Sequence, residues 1–116
     1  MKLSVKRCAF TECLSDLILA APGLHPGARL AYGEGYVALT DGADGDHDGP
    51  HKKGGAHYTG LGMDLLLYVN GTYITDGDHP AWQKIGAMWE QMNSSARWGG
   101  RFEDANHFSF EHEGRK

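Results

Sequence analysis

Histidine and aspartate, whose side chains bind divalent metals, recur at two places in this sequence. His57 and Asp64 lie seven residues apart, and Asp104 and His107 lie three residues apart near the carboxyl end. A catalytic zinc ion takes three protein ligands and keeps one position open for water, and His57, Asp64 and His107 supply that number. Asp104 can then accept the proton of that water. Taken singly, each residue is better explained as an ordinary solvated or half-buried side chain, so only their combination indicates a zinc site.

The strand that must carry Asp64 is the clearest element of the sequence. Its apolar residues alternate on one face: Leu61, Met63, Leu65, Leu67 and Val69. Asp64 lies on the other face, where a carboxylate is costly unless it is solvated, paired or bound to a metal. Asn70-Gly71 follows and is typical of a type I′ hairpin turn, with a return strand at 72–74.

A second alternating segment carries His107. The spacing predicts a strand over 107–111, with His107, Ser109 and Glu111 on one face. Phe108 and Phe110 occupy the opposite face. Asp104 precedes this strand, in a polar turn.

Two helices are predicted around these strands. The first covers 3–20 and is stopped by Pro22, and its apolar stripe comprises Val5, Cys8, Ala9, Leu14, Leu17 and Ile18. The second begins at Asp78 as N-cap with Pro80 just inside, and ends near Asn93-Ser94. We interpret its stripe as core: Trp82, Ile85, Met88, Trp89 and Met92. Short strands are expected at 28–32 and 36–40.

Composition narrows the class of protein. The length suits one domain over residues 1–116, which we expect to be a monomer. The net charge is −4 and no basic stripe is present, so we expect no nucleic-acid binding. No apolar run approaches the ~20 residues that span a membrane, and we find no signal peptide. Cys8 and Cys13 are predicted to be free, buried thiols, which indicates a reducing compartment.

An acidic, glycine-rich loop is predicted over 41–56. Asp44, Asp46 and Asp48 form the D-x-D-x-D-G start of a calcium-binding loop. Gly55 stands where such a loop needs a bidentate glutamate, and no helix precedes it. A solvated loop is therefore the default interpretation, and a calcium-ordered lid is the alternative.

Taken together, these motifs resemble those of a zinc peptidase family. It includes the VanX- and VanY-type D-alanyl-D-alanine peptidases and the phage L-alanyl-D-glutamate endopeptidases. The signature Ser-x-His-x-x-Gly-x-Ala-x-Asp is similar to residues 55–64, and its later acidic residue, two spacers and histidine are similar to 104–107. Trp98-Gly99-Gly100 and Phe108 resemble the endolysin branch. The similarity runs from about Lys2 to the carboxyl end.

The resemblance implies both a fold and a reaction. It implies an α+β fold, with flanking helices and a small antiparallel sheet that carries the zinc site. His57, Asp64 and His107 would be the zinc ligands and Asp104 the general base. The implied activity is that of a peptidoglycan hydrolase, with the L-alanyl–D-glutamate bond of the stem peptide as first choice. The chain would be a phage lysis enzyme, made in the host cytoplasm and released to the periplasm or cell wall when the membrane is breached.

The sequence departs from the family pattern at three positions. Gly55 and Gly62 replace the signature serine and alanine, and neither position is a ligand. Val37 stands where the family usually carries an arginine that stabilises the developing oxyanion. Two alternatives therefore stay open: a D,D-carboxypeptidase or dipeptidase, and a non-catalytic module that binds zinc or calcium.

Overall fold

The computed structural model describes residues 2–33 and 60–114. Over these residues the chain forms two α-helices, one 3₁₀ helix and a five-stranded antiparallel sheet, which confirms the predicted α+β fold. In chain order the elements are α1 (Leu3–Leu24), β1 (Ala28–Tyr32), β2 (Gly62–Val69), β3 (Thr72–Tyr73), α2 (Pro80–Met92), β4 (Ala96–Trp98), the 3₁₀ helix (Gly99–Phe102) and β5 (His107–Phe110).

The sheet is built around β2. Its strand order is β1-β2-β5-β4, and β3 pairs with the far end of β2. The hairpin between β2 and β3 turns at Asn70 and Gly71, whose φ angles of 52° and 81° are both positive. Two positive φ angles define the type I′ turn, so the predicted hairpin is confirmed.

One face of the sheet packs on both helices. Leu61, Leu65 and Leu67 alternate along the β2 segment and are fully buried. Trp89 of α2 lies at the centre of the core. Its indole centroid is 5.7 Å from the ring of Phe10 in α1, and its Nε1 donates to the carbonyls of Arg97 and Ser109. The opposite face of the sheet carries Asp64, His107 and Ser109 together with the half-buried Leu66 and Tyr68.

The buried face of α1 matches the prediction at Leu14 and Leu17 and differs from it at Val5 and Cys8. The residues of α1 that enter the core are Phe10, Leu14, Leu17 and Ala21. Val5 is 53% exposed and Cys8 is also exposed, so the prediction that both belong to the core, with Cys8 a buried thiol, was wrong. The reason is the Phe10 ring, which packs edge-on against both Trp89 and Phe110. A phenyl ring buries far more apolar area than a thiol, and it sets the rotation of the helix.

The end of α1 and the start of α2 also differ from the sequence-based prediction. Pro22 lies inside α1, which continues to Leu24, and the His25 N–H closes the last turn on the Ala21 carbonyl at 3.2 Å. Proline this close to the end removes only one helical hydrogen bond. The N-cap of α2 is His79 rather than Asp78, because the Nδ1 of His79 accepts a hydrogen bond from the Ala81 N–H at 3.0 Å.

Two further points concern the described elements. Strand β4 was not predicted, since a three-residue strand shows no periodicity. Within residues 2–33 and 60–114, neither α-helix combines the length and apolar character needed to cross a membrane.

Candidate metal centre

Asp64 and His107 face each other across strands β2 and β5. The Asp64 carbonyl accepts a hydrogen bond from the Gly33 N–H at 2.7 Å, so its backbone groups point away from β5. Asp64 and His107 are therefore a non-hydrogen-bonded pair, the arrangement that brings opposing side chains closest. His107 Nδ1 lies 3.2 Å from Asp64 Oδ1. His107 is buried and Asp64 half-buried, which shields the pair from bulk water.

This separation fits joint binding of a metal ion. Two ligands of one tetrahedral zinc lie about 3.3 Å apart, because each is about 2.0–2.1 Å from the metal. The 3.2 Å between His107 Nδ1 and Asp64 Oδ1 matches that value without a shift of either strand. A carboxylate oxygen with an imidazole nitrogen is also a donor set that suits zinc and neighbouring divalent ions.

Asp104 completes a cluster of three donors. Ligand atoms of Asp64, Asp104 and His107 all lie within 4.8 Å of one another. Asp104 is exposed, in contrast to the other two. A carboxylate at this distance can serve either as a further ligand or as a base beside a bound water. The cluster can therefore hold a metal ion, and Asp104 is the member whose role its position leaves open.

The segment Asp104–His107, called here the site turn, is held by short hydrogen bonds. The Asp104 N–H donates to the Gly99 carbonyl at 2.8 Å, and the His107 N–H donates to the Asp104 carbonyl at 3.0 Å. Gly99 packs so closely under the turn that an added Cβ would lie 2.1 Å from the Asp104 carbonyl oxygen. Only glycine permits this approach, which brings Asp104 back toward His107.

An exposed aromatic ring and two cavities lie beside the site turn. Phe102 is 48% exposed, and its ring centroid lies 6.1 Å from that of His107. Two cavities, of about 240 and 290 Å³, meet at the site turn, and Gly77 and Ala105 line both. The larger cavity is the more polar, with Asp78 and Glu103 among its lining residues. Asp64, Asp104 and His107 line neither cavity, so both cavities lie beside the cluster rather than at it.

The structure brings together three of the four residues predicted for the site. Asp64, Asp104 and His107 converge as expected. His57 lies outside the described residues, as does Val37. The same holds for the predicted calcium ligands Asp44, Asp46 and Asp48.

Phe102 was missed by sequence analysis. It lies in a four-residue 3₁₀ helix, which is too short to show a periodic pattern. The one sequence feature that could have indicated Phe102 was its position between Trp98-Gly99-Gly100 and Asp104, which the sequence analysis had already identified.

No family model matches this chain, and a search of curated proteins returns no match either. The case for the site therefore rests on its own geometry and donor chemistry. The metal that the site would take and the reaction it would support are matters for proposal.

Proposed function

We propose that this protein is a zinc-dependent peptidase that cuts the stem peptide of bacterial peptidoglycan. The observation that carries the proposal is the convergence of Asp64, Asp104 and His107 within 4.8 Å. The proposed ligands are His57, Asp64 and His107, and the proposed base is Asp104. The choice of peptidoglycan, and of the L-alanyl–D-glutamate bond, comes from the sequence resemblance.

In this proposal the residues of the cluster divide into two metal ligands and one base. Zinc, when bound, supplies a Lewis acid that lowers the pKa of a water molecule and polarises the scissile carbonyl. His107 and Asp64 would hold the metal, and their cross-strand pairing would keep them in place. Asp104, which is exposed at the edge of the site, accepts the proton of the attacking water at a carboxylate oxygen. It then delivers that proton to the nitrogen of the leaving amine.

A non-catalytic metal-binding module is the second candidate. The same distance limit of 4.8 Å allows Asp104 to complete a ligand set with Asp64 and His107, which leaves no residue of this cluster to act as a base. The two candidates therefore differ in one testable point, the contribution of Asp104 to metal affinity.

The decisive experiment pairs zinc binding with peptidoglycan digestion. The zinc-loaded protein is incubated with purified peptidoglycan, and the masses of the released fragments identify the bond. Asp104→Asn is compared with Glu103→Gln, the neighbouring exposed carboxylate that does not belong to the cluster. We expect Asp104→Asn to keep one zinc per chain and lose turnover, whereas Glu103→Gln keeps both.

Each contrary result selects a different conclusion. Loss of zinc in Asp104→Asn makes Asp104 a ligand and favours the non-catalytic module. Full turnover in Asp104→Asn refutes its role as base. Fragments cut at the carboxyl end of the stem identify a D,D-carboxypeptidase or dipeptidase instead. A wild-type protein that binds zinc but leaves peptidoglycan intact refutes the peptidase proposal itself.

A further inference from the structure

The three carbonyls that precede His107 all accept hydrogen bonds. The Asp104 carbonyl accepts from the His107 N–H at 3.0 Å, and the Asn106 carbonyl accepts from the Leu65 N–H at 2.8 Å. The Ala105 carbonyl, between them, accepts from the indole Nε1 of Trp98 at 2.7 Å. Backbone donors thus hold the two outer carbonyls, and a side chain holds the middle one. That side chain lies in β4, outside the site turn.

The Trp98 indole is itself tightly confined. A Cβ on Gly86 of α2 would lie 2.1 Å from the ring, and a Cβ on Gly100 would lie 2.3 Å from it. Trp98 is only 2% exposed. Glycine weakens a helix relative to alanine, so the glycine at position 86 of α2 is explained by the space that the indole needs.

A charged contact covers the ring on a further side. The Arg101 guanidinium carbon lies 5.3 Å from the Trp98 ring, and Arg101 is paired with Glu90 of α2 at 2.7 Å. The side-chain hydrogen bond to Glu90 raises the pKa of Arg101, and a guanidinium is in any case charged at every working pH, as the cation–π contact requires. The indole therefore has one available position, and its N–H points at Ala105.

We infer that Trp98 is a positioning residue of the metal centre: its N–H fixes the Ala105 carbonyl and thereby the placement of His107, a proposed zinc ligand, and of Asp104, the proposed base. The inference rests on the metal centre of the proposed function but not on the bond that is cleaved. Groups that orient metal-binding residues typically contribute about 10–100-fold to metal affinity. Removal of the indole N–H leaves the Ala105 carbonyl without its donor, and the turn can then relax.

The test compares two tryptophan variants that each lose an indole donor. Trp98→Phe loses the bond to Ala105, whereas Trp89→Phe loses the bonds to Arg97 and Ser109 in the core. Zinc dissociation constants are measured by competition with a chromophoric chelator, beside melting temperatures of the metal-free proteins. We expect Trp98→Phe to bind zinc about 10–100-fold more weakly. Trp89→Phe should melt earlier but bind zinc within about 2-fold of wild type.

A second pair of variants keeps the test decisive if Trp98→Phe does not fold. Gly100→Ala displaces the indole but retains its N–H, whereas Gly23→Ala in α1 meets no atom within 4 Å. We expect weaker zinc binding only in Gly100→Ala. Cobalt-substituted proteins supply an independent readout, since the visible bands of Co²⁺ report ligand geometry. They should shift in Trp98→Phe or Gly100→Ala and not in the two controls.

The inference is overturned if zinc affinity is unchanged in both site-side variants, or if it falls equally in variants and controls. A purely structural role of Trp98 predicts that second pattern. The wild type separates this failure from that of the proposed function. Zinc binding without peptidoglycan cleavage refutes the peptidase and leaves the Trp98 comparison intact. A wild type that binds no divalent metal refutes both.

Discussion

The contact beneath the site turn makes Gly99→Ala the sharpest perturbation of the metal centre. An added Cβ would lie 2.1 Å from the Asp104 carbonyl oxygen and 2.7 Å from the His107 Cβ. Non-bonded heavy atoms need about 3.5 Å, so Gly99 and the turn must separate by more than about 1 Å. Both obstacles are fixed parts of the chain rather than the ends of flexible side chains, and the strain cannot be relieved by a rotamer change.

The size of the effect follows from this displacement. Overpacking of a well-packed site costs about 1–3 kcal/mol. At about 3–6 °C per kcal/mol for a chain of this length, the melting temperature should fall by about 3–18 °C. Because the added Cβ also presses on the Cβ of His107, a proposed zinc ligand, zinc affinity should fall by at least about 10-fold.

Circular dichroism melting in chelator, with zinc competition titration, measures both effects of Gly99→Ala. Gly23→Ala is the matched control, since its Cβ meets nothing within 4 Å. It should melt at or slightly above the wild-type temperature, because alanine is the better helix former. If Gly99→Ala melted within about 1 °C of wild type, below the smallest drop expected from overpacking, and bound zinc equally well, the close contact would not be what holds the turn.

Three further predictions concern the metal, the thiols and the hairpin. Free zinc at 100 times its dissociation constant should stabilise the folded protein by about 2.7 kcal/mol relative to the chelated form. Chelation should therefore lower the melting temperature by about 8–16 °C. Equal melting with and without zinc would show that the folded protein does not bind zinc. Burial, followed by the charges of Asp16 and Glu12, raises the pKa of Cys13, so its thiolate is scarce at pH 8. The exposed Cys8 should therefore react first with a disulfide reagent. Faster labelling of Cys8→Ser, which retains only Cys13, than of Cys13→Ser would contradict this order. Gly71→Ala places a side chain at φ 81° and should lower the free energy of unfolding by about 1–2 kcal/mol, seen as a lower melting temperature. Unchanged melting would show that the turn rearranges.

The elements whose side chains repeat regularly could be predicted from sequence. Strand β2, the Asn70-Gly71 turn and helix α2 all carry patterns that local geometry alone explains. Helix α1 was predicted with its start and with Leu14 and Leu17 in its buried face, but its end at Leu24 and the burial of Phe10 were not predicted. The choice of the Phe10 face depends on Trp89 and Phe110, which are distant in sequence.

At the metal centre, too, the sequence predicts the face of each strand on which a side chain lies but not the register between the strands. Alternation puts Asp64 opposite the buried face of β2, and puts His107 opposite Phe108 and Phe110; the observed pairing of the two strands then places both on one face of the sheet. A register shift of two residues would preserve those faces yet set His107 across from Gly62 or Leu66. Sequence therefore predicts which face carries the site, but not that Asp64 and His107 meet.

Backbone hydrogen bonds to β2 at both ends of β5 hold the observed register. The Leu65 N–H donates to the Asn106 carbonyl at 2.8 Å, and the Phe110 N–H donates to the Leu61 carbonyl at 2.9 Å. The first of these bonds belongs to the site turn, so the segment that brings Asp104 into the cluster also fixes His107 opposite Asp64. Loss of the turn would then cost the register as well as the third donor. Because the turn also holds His107 opposite Asp64, a change under the turn should weaken metal binding even though Asp104 is not a proposed ligand.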